Sequence, residues 1–368
     1  MTYIRFLLGT VFFCFTAAVA LNFFVDPAGI YRDGRLHPQS YADTLVNSEH
    51  GLWDPNDEVD DRLLAKAMSL YSQRAECVVI GSSHVMQISS ERTPRALSDI
   101  CGSIINLGVH GASIEDHFIL SYLAIQNGRP KKIILGIDPW TFAFGLDQRW
   151  STYKDIYFQA ESEILGKRFA TVSNSVDKAG VSKLVNLINM DYTMRSIETA
   201  ARSLRRGQIS IVTAPKLDPA IGGEYPVRLP DGSLIYSAKF ISDPNRAIVP
   251  FGGETYKTDG PLNQPDAIKA YRALLLWVRS KGVEPILLMT PYHENVLKAP
   301  QAPNTVAILA TEPHIIDLAH ELDLRIIGSY DPKMFNCLNN EFYDFMHPTT
   351  ECLMKLRIRS SASKALQN

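Results

Sequence analysis

The stretch Cys77-Val78-Val79-Ile80-Gly81-Ser82-Ser83-His84 decides the fold. Apolar, mostly β-branched residues run without alternation into a glycine and two serines. A strand buried on both faces, as in the middle of a parallel sheet, reads this way. Four more stretches share the signature: Ser103–Leu107 into Gly108, Lys131–Leu135 into Gly136, Glu284–Met289 into Thr290-Pro291, and Leu324–Ile327 into Gly328. Segments with helical spacing of apolar positions lie between them, at 113–126 and 266–281, and another precedes them at 61–73. Strand–helix alternation predicts a doubly wound parallel sheet of about five strands. Its ligand site is expected beyond the carboxyl ends of the strands.

Residues 141–265 interrupt the alternation and read as an insertion that builds a lid or substrate groove. They hold a helix-like segment around 179–204 and a hairpin signal, Tyr225 to Tyr236, with Asp231-Gly232 at the turn. Decorative surface is the plainer alternative. No internal repeat or low-complexity stretch is present.

The N-terminus follows other rules. Phe6 to Val25 carries no charge, and twenty such residues suffice to cross the hydrocarbon core as a helix. A cleaved signal peptide, with Ala18-Val19-Ala20 as its site, competes with a retained anchor. The length of the run and the large residues Leu21, Phe23 and Phe24 after that site favour the anchor. Arg5 precedes the span and Arg32 and Arg35 follow it, so charge leaves the orientation near neutral. A single N-terminal anchor most often leaves the bulk of a chain outside. The expected organisation is a short tail and anchor over 1–25, a juxtamembrane segment and first helix over 26–74, and a catalytic domain over 75–368.

Of 368 residues, 46% are hydrophobic and 21% charged, as in a globular protein with a substantial core, and the net charge is −2. No long basic run is present, which argues against a nucleic-acid partner. Of five cysteines, Cys14 falls in the span. The other four form no C-x-x-C pair, which leaves zinc or thioredoxin-like chemistry without support. An even set of four suits two disulfides in an exported domain. Cys77 opens the first strand, Cys101 comes just before its neighbour, and Cys337 and Cys352 bracket the Asp344–His347 loop, so these are the expected pairs.

Three clusters at strand ends carry chemistry. Gly81-Ser82-Ser83-His84 puts a serine on a tight turn, expected to lead into a helix whose N-terminal N–H groups face a ligand. Asn106-Leu107-Gly108-Val109-His110-Gly111 offers backbone a ligand can approach closely. Tyr343-Asp344-Phe345-Met346-His347-Pro348 sets an acid and an imidazole three residues apart, so that the carboxylate can hold Nδ1–H and leave Nε2 to take a serine proton. Each cluster alone is also what a capped turn, a loop or a surface ion pair looks like.

In this order the clusters resemble the SGNH (GDSL-like) hydrolase superfamily over about residues 75–365, the insertion aside. The resemblance implies a three-layer, flavodoxin-like α/β/α sandwich after one transmembrane helix. It implies Ser83 as nucleophile, with Asp344 and His347 completing the triad. It implies an oxyanion hole of the Ser83 N–H, Gly111 and the residue at 138. Two positions depart from the family pattern. Gly-Asp-Ser is Gly-Ser-Ser here, and Asp138 stands where an oxyanion asparagine is expected. An ionised carboxylate there would repel a developing oxyanion, so Asp138 must be protonated, turned away or otherwise employed. Its side chain is expected to face the Ser83 pocket. These departures and the anchor followed by Val25-Asp26-Pro27 are similar to a branch that includes the teichoic-acid D-alanine transfer protein and the alginate-acetylation accessory proteins.

The expected activity is serine-dependent acyl transfer, most simply O-acetylation of an exopolysaccharide or wall polymer on the periplasmic or extracytoplasmic side of the cell membrane. The acyl donor would be delivered by a membrane O-acyltransferase, and no cofactor or metal is expected. His84, His110, Trp140, Tyr292 and His293 are candidate substrate-groove residues, with loop packing as the alternative. A carboxylesterase or deacetylase, and a non-catalytic subunit of a polysaccharide modification or export complex, remain open.

Overall fold

The computed structural model describes residues 2–25, 38–53, 60–92, 94–145, 149–166, 211–243, 263–298 and 303–359, with most positions from 187 to 201. Asp26, Pro27, Arg32, Arg35 and both ends of the expected helix 179–204 lie outside the described residues.

Eight strands occur among the described residues: β1 Leu52–Trp53, β2 Cys77–Ile80, β3 Ile104–Asn106, β4 Lys132–Gly136, β5 Val227–Arg228, β6 Leu234–Ile235, β7 Glu284–Met289 and β8 Ile326–Gly328. Five of them form one parallel sheet in the order β3-β2-β4-β7-β8. This is an α/β fold built on the five strands expected from the sequence.

Alternate residues of each strand feed opposite cores. Val78, Ile80, Ile133, Leu135, Leu287 and Met289 join one cluster with Phe118, Tyr271 and Leu274. Cys77, Val79, Ile134, Ile286, Leu288 and Ile327 join another with Val85, Leu97 and Leu353. Both faces are therefore covered, which is why these strands lack polar alternation. Ile134 is fully buried, and cutting such a side chain back to alanine costs about 2–5 kcal/mol.

Helices Ile114–Asn127 and Pro265–Ser280 match the expected segments. Ser113 and Asp116 close a capping box that starts the first of them. The segment 61–73 splits into a helix, Asp61–Ser69, capped by the Asp60 side chain, and a short 3-10 turn at Ser72–Arg74. Helix Pro303–Leu322 carries Pro313 inside it.

The hairpin at Asp231-Gly232 forms as β5 and β6, and β1 adds a third antiparallel strand to it. Both expected disulfides are present, Cys77–Cys101 and Cys337–Cys352, with Cα–Cα separations of 5.7 and 5.1 Å. Among the described residues one helix is long and apolar enough to cross a membrane, over Arg5–Val25.

The chain passes from β2 outward to β3, then returns past β2 to β4. The strand order reverses there, and the crevice beyond the carboxyl ends of β2 and β4 is where open α/β sheets take ligands.

Candidate active site

Three chain segments meet at that crevice. Gly81 and Gly136 end β2 and β4 and lie back to back. A Cβ on Gly136 would fall 2.4 Å from Val85 Cγ1, and one on Gly81 would fall 3.0 Å from the Gly136 carbonyl oxygen. The missing side chains let the Ser82–Val85 turn fold over the strand ends.

That turn is not the start of a helix. Residues 83–87 form successive turns, with Val85 N–H bonded to Ser82 O and Met86 N–H to Ser83 O. The reason lies in the second cluster. The Asn106 side-chain amide donates to the carbonyls of both Val85 and Ile88 at 2.8 Å, taking acceptors that a helix would need. Ser82 is fully buried and its hydroxyl accepts the His84 N–H. Ser83, half-buried, turns the other way, with its Oγ 2.9 Å from His347 Nε2.

His347 is held from behind. Asp344 Oδ2 lies 2.8 Å and Oδ1 3.0 Å from His347 Nδ1. Oδ1 also accepts the backbone N–H groups of Met346 and His347, both at 2.8 Å. Burial pushes the Asp344 carboxyl up, but these bonds outweigh it and hold the group at about 2. Asp344 is thus an anion that fixes the Nδ1–H tautomer. Burial lowers the His347 pKa, the Asp344 bond raises it, and the charges of His84 and His110 lower it again. Ser83, His347 and Asp344 form a continuous Oγ–Nε2, Nδ1–carboxylate chain, with burial favouring the neutral imidazole.

No family model and no curated protein matches this chain.

Gly111 adopts a φ of +59°, a left-handed conformation natural to glycine. Among the described residues, neither its N–H nor that of Ser83 has an acceptor.

Asp138 is 2% exposed, and its Oδ1 lies 2.8 Å from Nδ1 of His84, itself 1% exposed. It therefore reaches the residue next to the serine and serves as the anchor of a second imidazole. Thr290 Oγ1 is 3.3 Å from the same nitrogen. The His84 ring stands edge-on to those of His347, Tyr292 and Trp140, at 5.1, 5.3 and 5.7 Å between centroids. Trp140 donates its Nε1–H to Ala112 O and stays half-buried. Tyr292 is fully buried.

His110 is half-exposed with Nδ1 bonded to Asp61, which also pairs with Arg228 of the insertion. Burial would raise the Asp61 carboxyl, but Arg228 and His110 hold it below the usual carboxylate range. His293 faces elsewhere. Its Nδ1 accepts Asn295 N–H as the cap of helix Glu294–Leu297, and its ring meets Phe342. Among the described residues no group of three His, Cys, Asp or Glu side chains is set to hold a metal ion.

The sequence assigned no site role to four residues found here. Tyr236, just after β6, donates its hydroxyl to Ser83 O at 3.4 Å and stacks on Phe240 with ring centroids 4.2 Å apart. Both rings, with Tyr343, form an aromatic wall beside His347. Gln87 ties the serine turn to the histidine loop, donating to Pro348 O and accepting from the Tyr343 hydroxyl. The hairpin signal marked the insertion, but nothing in it marked Tyr236 as reaching Ser83.

Proposed function

We propose that this chain is an SGNH-type serine acyltransferase, a three-layer α/β/α domain held outside the membrane by the Arg5–Val25 helix. The observation that carries this reading is the Ser83–His347–Asp344 chain of contacts at 2.9 and 2.8 Å. His347 Nε2 takes the Ser83 proton as Oγ attacks the acyl carbonyl, and the developing imidazolium is stabilised by Asp344. The tetrahedral oxyanion accepts the free N–H groups of Ser83 and Gly111. Collapse expels the donor's leaving group, which takes the proton from His347. An acceptor hydroxyl then gives its proton to His347, attacks the acyl-serine, and leaves as the ester while Ser83 recovers its hydrogen.

The acceptor is a polysaccharide or wall polymer and the acyl group most simply acetyl, brought by a membrane O-acyltransferase. Aromatic surface at Phe240, Tyr343 and Trp140 suits a sugar ring. A carboxylate at 138 in the place of an oxyanion asparagine would suit a non-catalytic subunit. Its pairing with His84 supplies another task for the carboxylate, and the backbone donors remain.

A fluorophosphonate probe tests the nucleophile on the full chain. Wild type and Ser82→Ala should label and Ser83→Ala should not. Acetyl transfer from an aryl acetate to a soluble glycan should follow the same pattern. Labelling that survives Ser83→Ala removes the triad, and hydrolysis without transfer at any glycan concentration makes the chain an esterase.

A further inference from the structure

The end of the apolar helix is docked onto the insertion. Asn22 is fully buried, and its side-chain amide donates to Leu187 O at 2.9 Å and Thr193 Oγ1 at 2.8 Å. The depth of that contact follows from helix geometry. Arg5–Val25 is 21 residues, a rise of about 30 Å, the full thickness of a hydrocarbon core. Asn22 lies three residues before Val25, so about 5 Å inside the end of that helix. Whatever bonds to Asn22 sits at the same level.

The segment at that level has an inverted pattern. Tyr192 and Ser196 turn into the protein and are buried. The outward residues, where a water-facing helix is polar, are instead Met190, Met194 and Ile197, at i, i+4 and i+7, preceded by Ile188. They are 74%, 50%, 45% and 57% exposed. Phe23 and Phe24 of the apolar helix are exposed as well. The sequence from 187 to 206 also carries Arg195, Arg202, Arg205 and Arg206 against Asp191 and Glu198, a basic excess of the kind that favours anionic headgroups.

We propose a second membrane contact: the ridge of Ile188, Met190, Met194 and Ile197 enters the interfacial layer of the bilayer beside the last turn of the anchor. The partner is lipid. The contact rests on reading Arg5–Val25 as a span. It fixes the domain to the membrane at two points, so that the insertion lies against the surface rather than swinging on one helix.

The test uses the full chain in vesicles of phosphatidylethanolamine and phosphatidylglycerol. Cys14, the one free cysteine among the described residues, is replaced by serine. Single cysteines then carry an environment-sensitive fluorophore at Met190→Cys, Met194→Cys, Phe13→Cys as the span reference, and Lys269→Cys as the water reference, its side chain being 75% exposed. Blue-shifted emission at 190 and 194, quenched by nitroxide-labelled lipid as at Phe13, is the expected result. If Phe13 is quenched while 190 and 194 behave like Lys269, the ridge lies in water and the inference fails alone. If 190 and 194 are shielded from water but not quenched by lipid, protein covers the ridge and the inference fails too. If Phe13 itself behaves like Lys269, the span reading fails and takes this contact with it.

Discussion

Asp344→Asn separates the charge of the triad from its architecture. Asp344 Oδ1 accepts two backbone N–H groups at 2.8 Å, and an amide oxygen can still accept both, though more weakly than the carboxylate. The loop should keep its shape. Oδ2, 2.8 Å from His347 Nδ1, becomes an NH2 group, which can only donate. The imidazole must then accept at Nδ1 and carry its proton on Nε2, where it faces Ser83 Oγ as a donor and cannot serve as the base. A tautomer trapped this way loses about 10⁴ in turnover, or about 5 kcal/mol of transition-state stabilisation. Folding stability changes less. A carboxyl held at about 2 rather than 3.8 contributes about 2 kcal/mol at neutral pH, present above pH 4 and lost as pH falls through 2. Aryl acetate turnover, with kcat and KM separated, reads the first effect, and thermal melting the second. Turnover within tenfold of wild type in a folded variant would refute His347 as the base.

The pH dependence of turnover should reflect the lowered pKa of His347: an acidic limb with its midpoint below 6.5, since only the neutral ring accepts the serine proton. A midpoint above 6.5 would contradict it. Burial raises Glu115 from 4.5 to about 7, so the folded state keeps a proton that the unfolded state sheds, and stability falls as pH rises from 4.5 through 7. Glu115→Gln, which retains the acceptor for the Gly145 N–H, should therefore gain up to about 3 kcal/mol at pH 8 and almost nothing at pH 4; equal melting shifts at both pH values would count against a protonated Glu115. Replacing Cys337 and Cys352 by serine opens a 15-residue separation and should destabilise by about 3 kcal/mol in denaturant titrations, with aryl acetate turnover falling more steeply with temperature as the Asp344–His347 loop loosens.

The parallel sheet was readable because each strand is apolar on both faces and ends in a glycine or a Thr-Pro step, a pattern set by local burial. The Cys77–Cys101 pair was readable because neighbouring parallel strands start at the same end of the sheet, and Cys337–Cys352 because the two bracket one short loop. Long-range polar contacts outside the three clusters were not. Asp61 meets His110 and Arg228 across separations of 49 and 167 residues, and no spacing rule reaches that far. Strand β1 has two residues, too few for a period. The helix expected after Ser83 failed because Asn106, on another strand, captures the carbonyls. Asp138 was recognised as a departure, but its partner His84 follows from packing.

Ser83 and His347 stand 264 residues apart, with the insertion and four of the five strands of the parallel sheet made between them. At about 5–20 residues per second, a growing chain carries Ser83 for tens of seconds before His347 is made. The loop that bears the base is then clasped by Cys337–Cys352, a bond that a reducing compartment withholds. Order of synthesis therefore closes the Ser83–His347 contact late, after the strands that position both residues have been made.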